Sequence, residues 1–151
     1  MEKRNNSILV ALNDSISSRD VIDYLINLSL CPEDCSIYLL HFFRKTPASI
    51  DLMGKKFTEE RPSRMLTVLQ KAKERLIGHG FYPDKIKTKL ITDVYPTVSD
   101  GIIDRYKKGD YNLVVIGRKE MSKAEEFVMG DISIKLIRAL EGSAILVVKS
   151  K

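Results

Sequence analysis

The architecture of this chain is set by one segment, Asn112-Leu-Val-Val-Ile-Gly117-Arg-Lys-Glu-Met-Ser-Lys-Ala-Glu-Glu-Phe-Val-Met-Gly130-Asp131. The apolar run at residues 113–116 is typical of a central parallel strand that is covered on both faces, and we expect Gly117 to end it. Gly130 and Asp131 then open an apolar-periodic segment that predicts a helix, with Asp131 as a candidate N-cap. Because the free amides at a helix start favour an anion, the segment predicts a phosphate-binding loop.

Strand-like and helical segments alternate along the rest of the chain. The strands are predicted at residues 8–12, 36–43, 86–92, 113–116 and 144–148. Long helical crossovers between successive strands require parallel pairing. The sequence therefore predicts an α/β fold: a single-domain, doubly wound five-stranded parallel sheet with helices on both faces. In such sheets, ligands bind at the carboxyl ends of the strands, where the strand order reverses.

Composition limits the classes of function. The 151 residues suit one domain, residues 1–151, and 44% hydrophobic with 30% charged residues is typical of a soluble globular protein. No apolar run approaches the roughly 20 residues of a membrane helix, and residues 1–6 lack the apolar segment of a signal peptide. We therefore expect a cytoplasmic protein without a membrane partner. The net charge is +5, but the lysines are spread along the chain, so a nucleic-acid partner is not expected.

Neither the cysteines nor the histidines form a catalytic or metal-binding pattern. Cys31 and Cys35 are separated by three residues, a poor spacing for a metal site, and a reducing cytoplasm disfavours a disulfide, so both are interpreted as small apolar side chains. His41 and His79 are isolated in the sequence, and His41 is interpreted as a core residue. No nucleophile is matched with a base, so the sequence predicts neither an enzyme nor a metal site.

A polar segment follows the second predicted strand. Residues 44–60 contain Pro47 and Gly54 and show no convincing apolar period, which predicts a mobile flap. Pro62 suits the first turn of the helix that follows.

Three segments together resemble the universal stress protein family: the one quoted above, Ser7-Ile-Leu-Val-Ala-Leu-Asn-Asp-Ser15, and Gly142-Ser-Ala-Ile-Leu-Val-Val-Lys149. The resemblance covers nearly the whole chain and implies the strand order 3-2-1-4-5. It also implies a stress-response binding or regulatory module. The nucleotide-binding branch of this family carries the motif G-x2-G-x9-G-[S/T] after the fourth strand, and Gly117 and Gly130 match its first and third glycines.

The chain departs from that motif at three positions. Glu120 replaces the second glycine, Asp131 replaces the hydroxyl residue, and Asn13 stands where the family has an Asp at the end of the first strand. Glu120 restricts the backbone, and an ionised Asp131 can only accept hydrogen bonds. Each carboxylate would repel a triphosphate by about 1 kcal/mol even at a well-hydrated dielectric. Part of this repulsion would be offset by Arg118, Lys119 and Lys123, or by Mg²⁺ recruited by the carboxylates.

The sequence therefore favours weak or absent ATP binding, and competent ATP or AMP binding with Mg²⁺ at the same loop is the alternative. The candidate nucleotide-binding residues are Leu12, Asn13, Asp14, Ser15, Phe42, Gly117, Arg118, Lys119, Glu120, Gly130, Asp131 and Ile132. A third and less favoured interpretation is a phosphoacceptor receiver domain, because Asp14, Asp93 and Lys149 imitate its site. A receiver has a further helix after that lysine, which this sequence lacks.

The fifth predicted strand would lie at the edge of the sheet in the implied order, yet it is strongly apolar. An exposed apolar edge favours pairing with another strand. We therefore expect a homodimer joined through this strand, in agreement with the resemblance. The candidate interface residues are Ala144, Ile145, Leu146, Val147 and Val148.

Overall fold

The computed structural model describes residues 5–13, 15–43, 47–118 and 132–150, with side chains for all of these except residues 15–17 and 47–61. Within these ranges, strands alternate with helices. The strands are β1 (Asn6–Ala11), β2 (Cys35–Phe42), β3 (Ile86–Ile91), β4 (Leu113–Arg118) and β5 (Ala144–Lys149). The helices are α1 (Ser15–Asn27), α2 (Pro47–Gly78), α3 (Val98–Lys108) and α4 (Ile132–Ala139), and short 3-10 turns precede β2 and β3.

The strands form one parallel sheet in the order β3-β2-β1-β4-β5, which confirms the predicted fold and strand order. β1 pairs with β2 on one side and with β4 on the other, and Ala11 lies opposite Leu40 and Ile116. The strand order reverses between β1 and β4, so the expected ligand crevice lies at the carboxyl ends of these two strands.

The core occupies both faces of the sheet. Ile8 and Val10 of β1 pack with residues of α1 and α2, whereas Leu9 packs on the opposite face with residues of α3 and α4. Alternation of successive side chains across the sheet produces this division. β1 is thus the central, fully covered strand, as its unbroken apolar sequence predicts.

Helix α2 begins at Pro47, so the prediction of an irregular flap is wrong for residues 47–60, and residues 44–46 lie outside the described ranges. Pro47 suits the first position of a helix, and this part of α2 is rich in good helix formers despite its weak apolar period. Pro62 lies inside α2 rather than at its start. α2 has 32 residues, but none of the helices in the described ranges combines the length and apolar character that a membrane span needs.

The two cysteines are free thiols in different environments. Cys35 is buried at the start of β2, as expected of a small apolar side chain, and burial raises the pKa of its thiol. Cys31 is exposed, so the same interpretation is wrong for Cys31. The reason is local, because Cys31 precedes the surface turn Pro32–Asp34 that leads into β2.

Candidate functional site

Hydrogen bonds to β2 fix the backbone at the carboxyl end of β1. The Leu12 amide donates a hydrogen bond to the Leu40 carbonyl at 2.8 Å, and the Leu12 side chain is buried. The Leu12 carbonyl lies 2.7 Å from Nδ1 of His41, and because a carbonyl only accepts, Nδ1 carries the hydrogen. Both backbone groups of Leu12 are therefore fixed, and the chain leaves the sheet at a defined point next to the crevice.

His41 is a residue of this site that the sequence analysis missed. It was interpreted as a core side chain, but it is only partly buried and contacts the backbone at the crevice. Its position near the end of β2 was the signal that could have identified it, because polar side chains at strand ends line the site in sheets of this kind.

Asn13 reaches across the crevice from β1 to β4. Its Nδ2 lies 3.5 Å from the Gly117 carbonyl oxygen, at the outer limit of hydrogen-bond distance. The side chain of Asn13 is exposed, so this contact lies at the surface of the crevice. An aspartate would present a carboxylate to the same carbonyl, acceptor to acceptor. An amide at this position avoids that repulsion.

The pairing of β4 continues past Gly117. The prediction that Gly117 ends the strand is wrong, since β4 extends to Arg118. Gly117 pairs with Val148 of β5, and the Arg118 carbonyl accepts a hydrogen bond from the Ser150 amide at 2.9 Å. Pairing with β5 thus keeps β4 extended for one residue beyond Gly117. The candidate phosphate loop follows directly after this end of β4 in the sequence.

Phe42 lies at the end of β2 and faces α3. Its side chain is 8% exposed, and its ring meets the Tyr95 ring edge-on with the centroids 6.0 Å apart. A Cβ added to Gly101 of α3 would lie 2.6 Å from Cε1 of Phe42. The absence of a side chain at Gly101 therefore lets α3 pack against Phe42. The sequence signal for this contact was a glycine inside an otherwise amphipathic helix, which the sequence analysis did not use.

The loop after β3 is anchored to α3 by polar contacts. The Tyr95 hydroxyl donates to Oδ2 of Asp104 at 2.6 Å, and Nη2 of Arg105 pairs with Oδ2 of Asp93 at 3.0 Å. The hydrogen bond from Tyr95, followed by that from Lys108, holds the pKa of Asp104 below its ordinary value. The same bond to Asp104 raises the pKa of Tyr95. Tyr95, and through it Phe42, is thereby held in place beside the end of β2.

Part of the candidate site lies outside the described residues. This applies to Asp14, Lys119, Glu120, Gly130 and Asp131 and to the side chain of Ser15. Ile132 begins α4. Of the described candidates, Leu12, Asn13, Phe42 and Gly117 lie at the carboxyl ends of neighbouring strands. The described residues contain no group of three or more metal-ligating side chains.

The outer edge of β5 is open within the described residues. Ala144 is exposed, Ile145, Leu146 and Val147 are partly buried, and Val148 is buried. The amides of Ala144 and Ser150 donate to carbonyls of the β4 side, at 3.0 Å and 2.9 Å. Successive amides alternate between the two edges of a strand. The amides of Ile145, Val147 and Lys149 therefore point away from β4.

A parallel sheet whose strand order reverses between β1 and β4 defines the chain as a doubly wound α/β protein. A model of the universal stress protein family matches residues 4–149, and the chain belongs to this family. A comparison with curated protein sequences found no match.

Solved structures share this fold along most of their length. A universal stress protein in complex with cAMP is 14% identical, with a TM-score of 0.67 and coverage of 98% of this chain and 99% of the other. The universal stress protein from Archaeoglobus fulgidus in complex with dAMP is 16% identical (TM-score 0.61; coverage 97% and 99%). A universal stress protein family protein from Arabidopsis thaliana with AMP bound is 16% identical (TM-score 0.65; coverage 97% and 92%). At these identities, the likeness establishes the fold.

Proposed function

We propose that this chain is a non-enzymatic stress-response binding module in the cytoplasm, that it acts as a homodimer, and that it binds adenine nucleotides weakly or not at all. One feature carries the nucleotide part of the proposal: Glu120 and Asp131 stand where the nucleotide-binding branch of the family has a glycine and a hydroxyl residue. The Asn13 amide also contacts the Gly117 carbonyl across the crevice between β1 and β4. The polar group at the end of β1 is thus engaged with the strand that begins the candidate phosphate loop.

The contact between Asn13 and Gly117 is weak by itself. A typical intramolecular hydrogen bond contributes about 1 kcal/mol, and one at 3.5 Å contributes less, so a ligand could displace it. The sequence of the loop adds a larger cost, because Glu120 and Asp131 bring negative charge to the place where a phosphate would bind. The two effects together favour weak binding over tight binding.

Competent binding of ATP or AMP is the alternative for the same crevice. It is favoured by Gly117 and Gly130, which keep the motif spacing, and by the nucleotides in the three structures described above. In that case Mg²⁺ held by Asp131 or Glu120 would offset the repulsion.

The nucleotide content of the purified protein separates these alternatives. We expect heat-denatured protein to release much less than one adenine nucleotide per chain, as measured by mass spectrometry of the supernatant. Titration calorimetry with AMP, and with ATP and Mg²⁺, should show no binding in the low micromolar range. Stoichiometric release, or low micromolar binding, would establish the alternative.

The homodimer proposal is supported by the open edge of β5. Three outward amides, those of Ile145, Val147 and Lys149, are placed to pair with a second strand. The side chains of residues 145–147 are only partly buried. Exposed apolar side chains continue onto the neighbouring helix α4, where Ile137 is 64% exposed. Pairing of two β5 strands would cover this apolar surface.

A further inference from the structure

A second groove lies between α1 and α2, on the face of the sheet opposite to α3 and α4. Its volume is about 360 Å³, within the range of small-molecule sites. It is separate from the crevice between β1 and β4, so an inference from it does not depend on the proposed nucleotide binding.

The groove is strongly basic. Among the described residues that line it, four are cations, Arg19 of α1 and Arg64, Lys71 and Arg75 of α2, and none is a carboxylate. Arg75 forms an ion pair with Asp23, which offsets one of these charges. Arg19, Arg64 and Lys71 have no ion pair within the described part of the chain. Three positive charges at the groove thus have no counter-ion among the described residues, and we take them as the anion-binding groups of the site.

The floor of the groove contains a buried hydroxyl group. Ser18 is 3% exposed and lines the groove, and its Oγ has no hydrogen-bond partner among the described residues. Leaving a buried hydroxyl without a partner is unfavourable, and such groups usually have a partner in a native structure. The Ser18 hydroxyl is therefore a hydrogen-bond donor beside the groove that no described residue uses, and this observation is independent of the surface charges.

Apolar side chains form the rest of the floor. Ile22 and Ala72 are buried beside Ser18, and Val68 is partly buried. The groove therefore combines cations at its rim with apolar surface below them. An inorganic anion would use only the rim, whereas an anion that carries an apolar group would use both.

We propose that the groove between α1 and α2 binds a small organic phosphate monoester. The Ser18 hydroxyl would donate a hydrogen bond to a phosphate oxygen, and Arg19, Arg64 and Lys71 would neutralise the phosphate charge. Arginine suits this role because its planar guanidinium group donates two parallel hydrogen bonds to phosphate. The organic part of the ligand would pack on Ile22, Val68 and Ala72.

Phenyl phosphate is a suitable probe, because it joins a phosphate dianion to a small apolar ring. We expect it to shift the ¹H–¹⁵N resonances of α1 and α2 in the intact protein, and to bind more tightly than inorganic phosphate or phenol. The double substitution Arg64→Gln and Lys71→Gln should weaken binding at least about tenfold. The matched control, Lys89→Gln and Lys107→Gln, removes two exposed charges elsewhere and should bind as the unmodified protein does.

Ser18→Ala tests the buried hydroxyl separately. We expect weaker binding of phenyl phosphate with an unchanged or higher melting temperature, because the hydroxyl has no partner to lose. The proposal is overturned if phenyl phosphate does not bind at millimolar concentration, if the control pair weakens binding as much as the groove pair, or if Ser18→Ala binds normally.

The phosphate group of a lipid offers the same chemistry as that of a small molecule. Cosedimentation with phosphatidylcholine vesicles that contain phosphatidic acid distinguishes a lipid ligand from a small-molecule ligand. We expect no cosedimentation above that with phosphatidylcholine alone. Binding to the acidic vesicles without binding of phenyl phosphate would contradict a small-molecule site.

Discussion

β1 and β5 contain the same tripeptide, Ile-Leu-Val, at residues 8–10 and 145–147, but bury it differently. In β1, Ile8, Leu9 and Val10 are 0% exposed, whereas the same three residue types in β5 are only partly buried. β1 has a paired strand on each side and helices over both faces, and β5 has a paired strand on one side within the described residues. Position in the sheet, rather than residue type, decides whether the tripeptide is interior or available to a partner.

Truncation of the middle leucine in each strand should show the largest difference. Leu9→Ala should lower the free energy of unfolding by about 2–5 kcal/mol, because it opens a cavity in a fully packed core. Leu146→Ala should lower the free energy of unfolding by only roughly 1 kcal/mol, because Leu146 is partly buried. Full burial of such a side chain contributes about 1.5–3 kcal/mol. Urea denaturation of both variants measures the difference. Equal losses would mean that β5 is as well packed as β1.

The packed interior should also reject added volume. In Gly101→Ala, the new Cβ would lie within 2.7 Å of the Phe42 ring. We expect a net loss of up to about 2 kcal/mol in the free energy of unfolding, since overpacking costs roughly 1–3 kcal/mol and the gain in helix propensity is about 1 kcal/mol.

Gly78→Ala is the control at the periphery. Gly78 ends α2, and an added Cβ would have no neighbour within 4 Å. We expect no loss of stability in thermal or urea denaturation. A similar loss in both variants would show that Gly101 is not selected by its contact with Phe42.

The open edge of β5 can be blocked without breaking its pairing with β4. Val147→Pro removes an amide that points away from β4, and proline is tolerated on an edge strand. If two β5 strands pair in a homodimer, the dimer should dissociate at least about tenfold more readily, a change of about 1.4 kcal/mol.

Analytical ultracentrifugation of Val147→Pro and of the unmodified protein, at tens of micromolar, measures how readily the dimer dissociates. Circular dichroism of the variant checks that the fold is retained. The homodimer proposal fails if the unmodified protein sediments as a monomer, or if the folded variant dimerises equally well.

The smallest effect is expected for the partly buried hydrogen bond between Tyr95, which follows β3, and Asp104. Tyr95→Phe removes the principal hydrogen bond to Asp104, so the pKa of Asp104 should rise toward its ordinary value. A lowered pKa in the folded state contributes stability above the unfolded-state pKa, and this contribution is lost as the pH falls through the folded-state pKa. The variant should therefore lose less stability on acidification.

Carboxyl ¹³C NMR titration of Asp104 measures this shift directly. Tyr24→Phe is a suitable control, because Tyr24 is 46% exposed and distant in sequence from Asp104. An unchanged pKa in Tyr95→Phe would show that the hydrogen bond does not persist in solution.

The sequence predicted the secondary structure well where the pattern of apolar residues matches the periodicity of a strand or helix. The apolar runs located β1, β4 and β5 to within one or two residues. It failed for residues 47–60, because good helix formers without an apolar period give no signal of burial. The contact between Asn13 and Gly117 spans 104 positions and depends on strand register, so no local pattern could predict it.

Titration calorimetry of a repaired phosphate loop tests the central claim that this crevice binds adenine nucleotides weakly. The double substitution Glu120→Gly and Asp131→Ser restores the family motif around Gly117 and Gly130. The control, Glu125→Gly and Glu126→Ser, also removes two carboxylates and introduces one glycine and one serine, but outside the motif positions of the same segment.

We expect the repaired variant to bind ATP with Mg²⁺ at least about tenfold more tightly than the unmodified protein, a gain of about 1.4 kcal/mol, and the control to gain less. Low micromolar binding by the unmodified protein would contradict the claim. No binding by the repaired variant would show that the two carboxylates are not what limits nucleotide binding.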